Sequence, residues 1–183
     1  MIKPWTMLGC AALLALAACD QTGAPAAATA NAAEAAGEDT LATGLGANAK
    51  LVAAAKAAGL EATLAGPGPY TLLAPSDAAF DKLPPGALDT LMKPEAHAEL
   101  TAVLTNHILP GTMLAADIGK AIDAGGGKAL IATMGGGTLT ATRDGDKIVF
   151  ADEAGGKATV TAGDQKRSNG IVHQVDAVLM PST

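Results

Sequence analysis

The spacing of apolar positions changes once along the chain, near residue 127, and the predicted elements divide there. Before that point the spacing is mostly helical. Leu51, Val52 and Ala55 fall on one side of a helix that Asn48 can cap and Gly59 can stop. Pro67-Gly68-Pro69 then breaks the chain, and Tyr70-Thr71-Leu72-Leu73-Ala74 reads as a short strand ended by Pro75. Ser76 or Asp77 can cap the next turn, which carries Phe80, before a second break at Pro84-Pro85-Gly86. The clearest helix has Pro94 in its first turn. Its apolar face is Leu100, Val103, Leu104, His107 and Ile108, and Pro110-Gly111 ends it.

Beyond residue 127 the period is two. Segments 129–134 and 138–142 flank Gly135-Gly136-Gly137, and Asp144-Gly145 joins 138–143 to 147–150 as a hairpin. Segments 157–162 and 170–180 complete the strands. Asn169-Gly170 reads as a tight turn into the last of them, one residue tolerant of positive φ beside one that is unrestricted. Helices precede strands, so the pattern predicts an α+β domain with an antiparallel sheet and no internal repeat.

Composition narrows what such a domain can do. Only 2% of the 183 residues are aromatic (Trp5, Tyr70, Phe80 and Phe150), so the core must be built from small and aliphatic side chains. The net charge is −6 and no basic run occurs, which excludes nucleic acid as a partner because counterion release needs clustered Lys and Arg. The aromatics form no cluster on which single-stranded bases could stack.

The N-terminus is read as a targeting segment. Residues 1–18 carry one cation, Lys3, and an apolar run from Met7 to Ala18 that is too short to span a bilayer, as in a signal peptide. Leu16-Ala17-Ala18-Cys19 resembles the bacterial lipobox, which implies lipidation of Cys19 and cleavage just before it. The competing reading is an ordinary signal peptide cut near Ala18, leaving a soluble periplasmic protein. Asp20 resembles an inner-membrane retention signal. Cleavage removes Cys10, so a lipidated Cys19 leaves no disulfide, no redox pair and no thiolate nucleophile. Residues 19–40 hold no large apolar side chain before the domain and are expected to form an Ala-rich tether, with any helix there limited by Gly23, Pro25 and Gly37. One domain, residues 41–183, is expected to follow.

Three stretches of that domain resemble the fasciclin family. Tyr70-Thr71-Leu72-Leu73-Ala74-Pro75-Ser76-Asp77-Ala78-Ala79-Phe80, with Leu83-Pro84 after it, is similar to the first signature. Leu104-Thr105-Asn106-His107-Ile108-Leu109-Pro110-Gly111 resembles the second element, where a Tyr-His pair usually ends a helix. Ser168-Asn169-Gly170-Ile171-Val172-His173, continuing through Val175 to Pro181, is similar to the closing strand. The resemblance implies a wedge-shaped antiparallel β-sandwich with several helices packed on one side. It also implies a scaffold used for adhesion and protein interaction, and not an enzyme. Two departures stand out: Asn106 replaces the aromatic of the second element, and Asp164-Gln165 lies where many animal members carry Asp-Ile, a pair associated with integrin binding.

The candidate chemistry is sparse. His107 lies on the apolar face of its helix, and His173 shares a strand face with Ile171 and Val175, so both read as buried histidines bonded to backbone. No two of the three histidines are spaced as a ligand pair, no metal set is specified, and neither glycine run opens a helix with a Lys-Ser/Thr pair. Ser76-Asp77 lacks a nucleophile elbow, and no cofactor is called for. Candidate contact residues are Ser76, Asp77 and Asp81 of the first signature, and Asp164, Gln165 and Asn169 of the loop before the closing strand. Tyr70, Phe80, Asn106, His107, Gly170 and His173 are expected to be structural. The functional expectation is a lipid-anchored, monomeric envelope protein, on the periplasmic or cell-surface side, that binds an envelope or extracellular protein or polysaccharide. The alternative is a periplasmic binder or sensor of a small apolar ligand, held in a groove flanked by His107.

Overall fold

The computed structural model describes residues 39–45 and 48–181. The expected signal peptide, Cys19 and all but the last two residues of the tether lie outside the described residues. Helix α1 (Ala49–Ala57) begins at Asn48, whose carbonyl accepts the Val52 N–H at 3.0 Å. The Asn48 side chain makes no cap. That task falls to Asp77, whose Oδ1 accepts the Lys50 N–H at 3.0 Å from another element. At the other end Gly59, at φ +66°, donates to Lys56 O (3.0 Å) while Leu60 donates to Ala55 O (2.9 Å). This is a Schellman closure, which uses the left-handed conformation that glycine adopts at least cost.

A short helix α2 (Glu61–Ala65) follows, then β1 (Tyr70–Pro75), α3 (Asp77–Asp81) and α4 (Ala87–Leu91). Pro94–Ala96 form a 3-10 turn that leads into α5 (His97–Asn106). The helix predicted to run through Ile108 stops two residues earlier, because Ile108 opens β2 (Ile108–Pro110) opposite Leu72. In β2 Ile108 is still 1% exposed, so burial alone does not distinguish helix from strand at this position. Helix α6 (Ala115–Ala124), which the sequence reading passed over, buries Ile118 and Ile122 one turn apart. Strands β3 (Lys128–Ala132), β4 (Thr138–Asp144), β5 (Lys147–Ala151), β6 (Lys157–Arg167) and β7 (Gly170–Val175) complete the chain. β6 runs past Ala162 to Arg167 with two register shifts, and β7 ends at Val175, so residues 176–181 leave the sheet as a strap.

The seven strands lie in the order β2-β1-β7-β6-β5-β4-β3. Every pairing is antiparallel except β1 with β7, which run parallel from Tyr70–Gly170 to Pro75–Val175. The two ends of the sheet curl toward each other. Met134 N–H donates to Ile108 O at 2.8 Å and Gly135 N–H to Thr105 O at 3.1 Å, so the sheet is nearly closed. Alternate residues of β1 then serve different cores. Leu72 and Ala74 join Leu41, Leu51, Phe80, Leu100 and Leu104 beneath the helices, whereas Leu73 joins Leu139, Phe150, Val175 and Leu179 inside the curled sheet.

Gly170 is required by close approach and not by a positive φ, because a Cβ built on it would lie 2.0 Å from the Tyr70 carbonyl oxygen across the parallel pair. Asn169 is not left-handed either; among the described non-glycine residues only Asp164 is, at φ 58°. Gly170→Val should therefore force β1 and β7 apart, costing about 3 kcal/mol and lowering the thermal midpoint by roughly 10 °C. Thermal unfolding of the variant checks this, and an unchanged midpoint would refute it.

Candidate functional site

The structure distributes the candidate contact residues over three places. The first is the junction of α3 with α1. Ser76 caps α3, its Oγ accepting the Ala79 N–H at 3.2 Å. Asp77 caps α1, and Lys50 Nζ reaches both the Asp81 carboxylate and the Asp77 carbonyl. Phe80 points inward from this helix and is 6% exposed, while the Asp81 side chain is 69% exposed. The signature residues thus lock two helix ends together, and Asp81 stays largely exposed while paired with Lys50.

The second place is the bulge in β6. Asp164 Oδ1 accepts the Ala115 N–H at 2.8 Å and so caps α6, while its own N–H donates to His173 Nδ1 at 3.2 Å. His173 is fully buried and its Nε2 donates to Met113 O at 2.8 Å. Gln165 is half-buried opposite Val172. A cleft of about 340 Å³ opens here, lined by Ala115, Lys147, Ile148, Val160 and Asp164 among others.

The third place is the β6–β7 turn. Asn169 Oδ1 accepts the Leu41 N–H at 2.8 Å, and its Nδ2 donates to Leu64 O and Gly66 O, each at 2.8 Å. Its amide is therefore committed to joining the N-terminal segment, the end of α2 and the sheet. Tyr70 packs against the helical core at the same end, and its N–H donates to Asn169 O at 3.2 Å.

His107 lies at the C-terminal end of α5, 1% exposed. Its Nδ1 donates to Val103 O at 2.8 Å and its Nε2 accepts the Leu179 N–H at 3.0 Å, a pattern that requires the neutral ring. Burial pushes its pKa below the ordinary 6.5, outweighing the opposing effects of the Val103 bond and the Asp152 charge. Next to it Asn106, 2% exposed, accepts from Thr133 Oγ1 at 3.1 Å, so a polar tie to the β3–β4 turn stands where the family aromatic would. Asn106 also lines a cleft of about 200 Å³ with Gly135, Gly136, Gly137, Asp152, Glu153 and Met180. His107 is absent from that lining, and the lining is polar, unlike the apolar groove expected beside the ring.

Chemically, both ring nitrogens of His107 and of His173 are occupied by backbone groups, and Ser76 Oγ is occupied as a cap. Neither histidine is available to activate Ser76. Among the described residues no three of His, Cys, Asp and Glu gather as a metal set. The sequence reading missed Asp152, whose two oxygens accept from Gly156 N–H (2.6 Å) and Met180 N–H (2.8 Å). The local signal for it was an Asp ahead of the Gly155-Gly156 turn.

A helix-covered, nearly closed sheet whose first, second and last motifs meet around β1 and β7 defines a fasciclin-type domain. The chain belongs to the fasciclin family, whose domain model matches residues 47–181. It is 36% identical over 148 residues to protein sll1483 of Synechocystis sp., covering 80% of this chain and 71% of that protein. It is also 38% identical to transforming growth factor-beta-induced protein ig-h3 of Sus scrofa over 73% of this chain but only 18% of ig-h3. Among solved structures it is similar to the domain pair of the insect cell adhesion molecule Fasciclin I, with a TM-score of 0.68 and 17% identity. That match covers 76% of this chain and 50% of the other.

Two outcomes follow from the site geometry. Asn169→Ala leaves the Leu41 N–H and two carbonyls without their partner and should cost roughly 2–4 kcal/mol, read as a shift of the denaturant midpoint. A shift below about 0.5 kcal/mol would place the Asn169 amide outside the fold's support. For His107, the unfolded ring protonates near 6.5 and the folded ring only at lower pH. In that window the unfolded state binds more protons, so stability is lost as the pH falls below about 6.5. His107→Gln should flatten this part of the curve, and identical pH slopes of the thermal midpoint in both proteins would refute it.

Proposed function

We propose that this protein is a lipid-anchored bacterial envelope protein whose fasciclin domain binds another protein, or a polysaccharide, in adhesion or envelope organisation. Membership of the fasciclin family is the observation that carries the interaction role. The Leu16-Ala17-Ala18-Cys19 motif supports the anchor, and the composition of residues 19–40 supports a tether between anchor and domain. The described solved relative is a cell adhesion molecule, which supports the same class of role. The catalytic reading finds no support in histidines whose nitrogens are all held by backbone.

The contact surface we assign includes Asp81 and Gln165. Asp77, Asp164 and Asn169 carry structural bonds, so they serve that surface by shaping it. The test is a crosslinking capture from the native envelope with the full chain and, in parallel, its Cys19→Ser form. The anchored chain should partition with membranes and capture a partner saturably, and Asp81→Lys with Gln165→Lys should reduce capture by about tenfold. Absence of saturable capture by either form would overturn the interaction role, and copurification of a small apolar molecule would favour the ligand binder in its place. Equal membrane partitioning of the Cys19→Ser form would overturn the anchor.

A further inference from the structure

The strap 176–181 is held by two titratable side chains acting on consecutive backbone N–H groups. Leu179 N–H donates to His107 Nε2 (3.0 Å) and Met180 N–H donates to Asp152 Oδ2 (2.8 Å). Leu179 itself is fully buried in the core inside the sheet, whereas Met180 and Pro181 form one wall of the cleft at Asn106. Holding the strap requires a lone pair on His107 Nε2 and an acceptor oxygen on Asp152.

We propose that the strap is a pH-operated clasp: in acid, His107 gains a proton and pairs with Asp152, and the two release Leu179 and Met180 together, opening the Asn106 cleft. The proton attaches at Nε2, the only ring nitrogen with a lone pair. The atom that accepted the Leu179 N–H then becomes a donor facing a donor, and that hydrogen bond is lost. The imidazolium is left in a buried place where Asp152 is the charge that acts on it. Turning the carboxylate from Met180 to the ring satisfies that charge and frees the second N–H of the strap to water. His107 Nε2 can serve either the Leu179 N–H or the Asp152 carboxylate but not both, which is the alternative a bistable element needs.

Other ionisable residues flank the strap and its neighbours. Asp176, where the strap begins, accepts the Thr159 N–H at 2.7 Å and lies 3.6 Å from Lys82 Nζ. Glu153 lines the cleft beyond Asp152. The ionisable residues of α5, His97 and Glu99, stand two turns or more back along the helix, and β2 contains none. The lowered pKa of His107 places the change on the acid side of 6.5.

The test is amide hydrogen exchange of the full chain, followed by mass spectrometry and corrected for intrinsic rates, at about pH 7.5 and at about pH 5. The opening equilibrium of Leu179 and Met180 should be larger at about pH 5 than at about pH 7.5, rising by at most about tenfold per pH unit. Amides of β1 and β7 should stay better protected than those of the strap at both pH values. His107→Gln should make the strap's opening independent of pH. Asp152→Asn, which withholds the carboxylate, should move release to lower pH. Strap and sheet exchanging with the same opening equilibrium at about pH 5, a strap insensitive to pH, or an Asp152→Asn protein releasing at the wild-type pH would each overturn the clasp.

Discussion

Strand β1 is buried on both faces, and most of the domain exists to cover one face or the other. Thr71 to Pro75 are all inaccessible, with Leu72 and Ala74 directed to the helices and Leu73 to the interior of the sheet. Covering both faces explains why the strand reads as an unbroken apolar run instead of an alternation. It also explains why its neighbours come from distant parts of the chain: β2 on one side, and β7, running parallel, on the other. A parallel neighbour cannot be reached by a hairpin, so the intervening chain builds the helical layer and the rest of the sheet before it returns.

Besides packing, polar groups fix the helices to this frame. Asp77 caps α1 and Asp164 caps α6, each from a separate element, and Asn169 binds three backbone groups of two segments. A cap supplied across space does two things at once. It satisfies an N–H that the helix cannot, and it fixes where the helix sits relative to the donor of the cap. The buried histidines work in the same way, in opposite tautomers: His107 donates from Nδ1 and His173 from Nε2. The residues quoted from the family's motifs are thus largely those that join one element to another.

Much of this was legible in order and little of it in detail. The hairpin at Asp144-Gly145, the Gly59 stop and the helix of Leu100, Val103 and Leu104 followed from periodicity and local turn chemistry, because their determinants lie within a few residues. The parallel β1–β7 pair was not legible, since nothing within Tyr70–Pro75 specifies the direction of a partner a hundred residues away. The end of α5 was misplaced because Ile108 satisfies the helical repeat and the strand equally. At the site, the burial of His107 and His173 followed from their apolar neighbours. That Asp77, Asp164 and Asn169 act on distant backbone did not, because short polar side chains look the same in sequence whether they meet solvent or another element.

The N-terminal segment enters the fold at one spot. Asp39 O accepts the Ser168 N–H at 3.0 Å, Leu41 is fully buried, and the Leu41 N–H is held by Asn169. A pull applied through the chain upstream of Asp39 is therefore delivered first to the turn between β6 and β7, before it reaches β1. From there it passes into two parallel strands lying side by side, where separating them along their length loads the whole ladder at once instead of one rung at a time. If residues 19–40 connect the domain to a membrane, the joint that carries tension is the same one that completes the core.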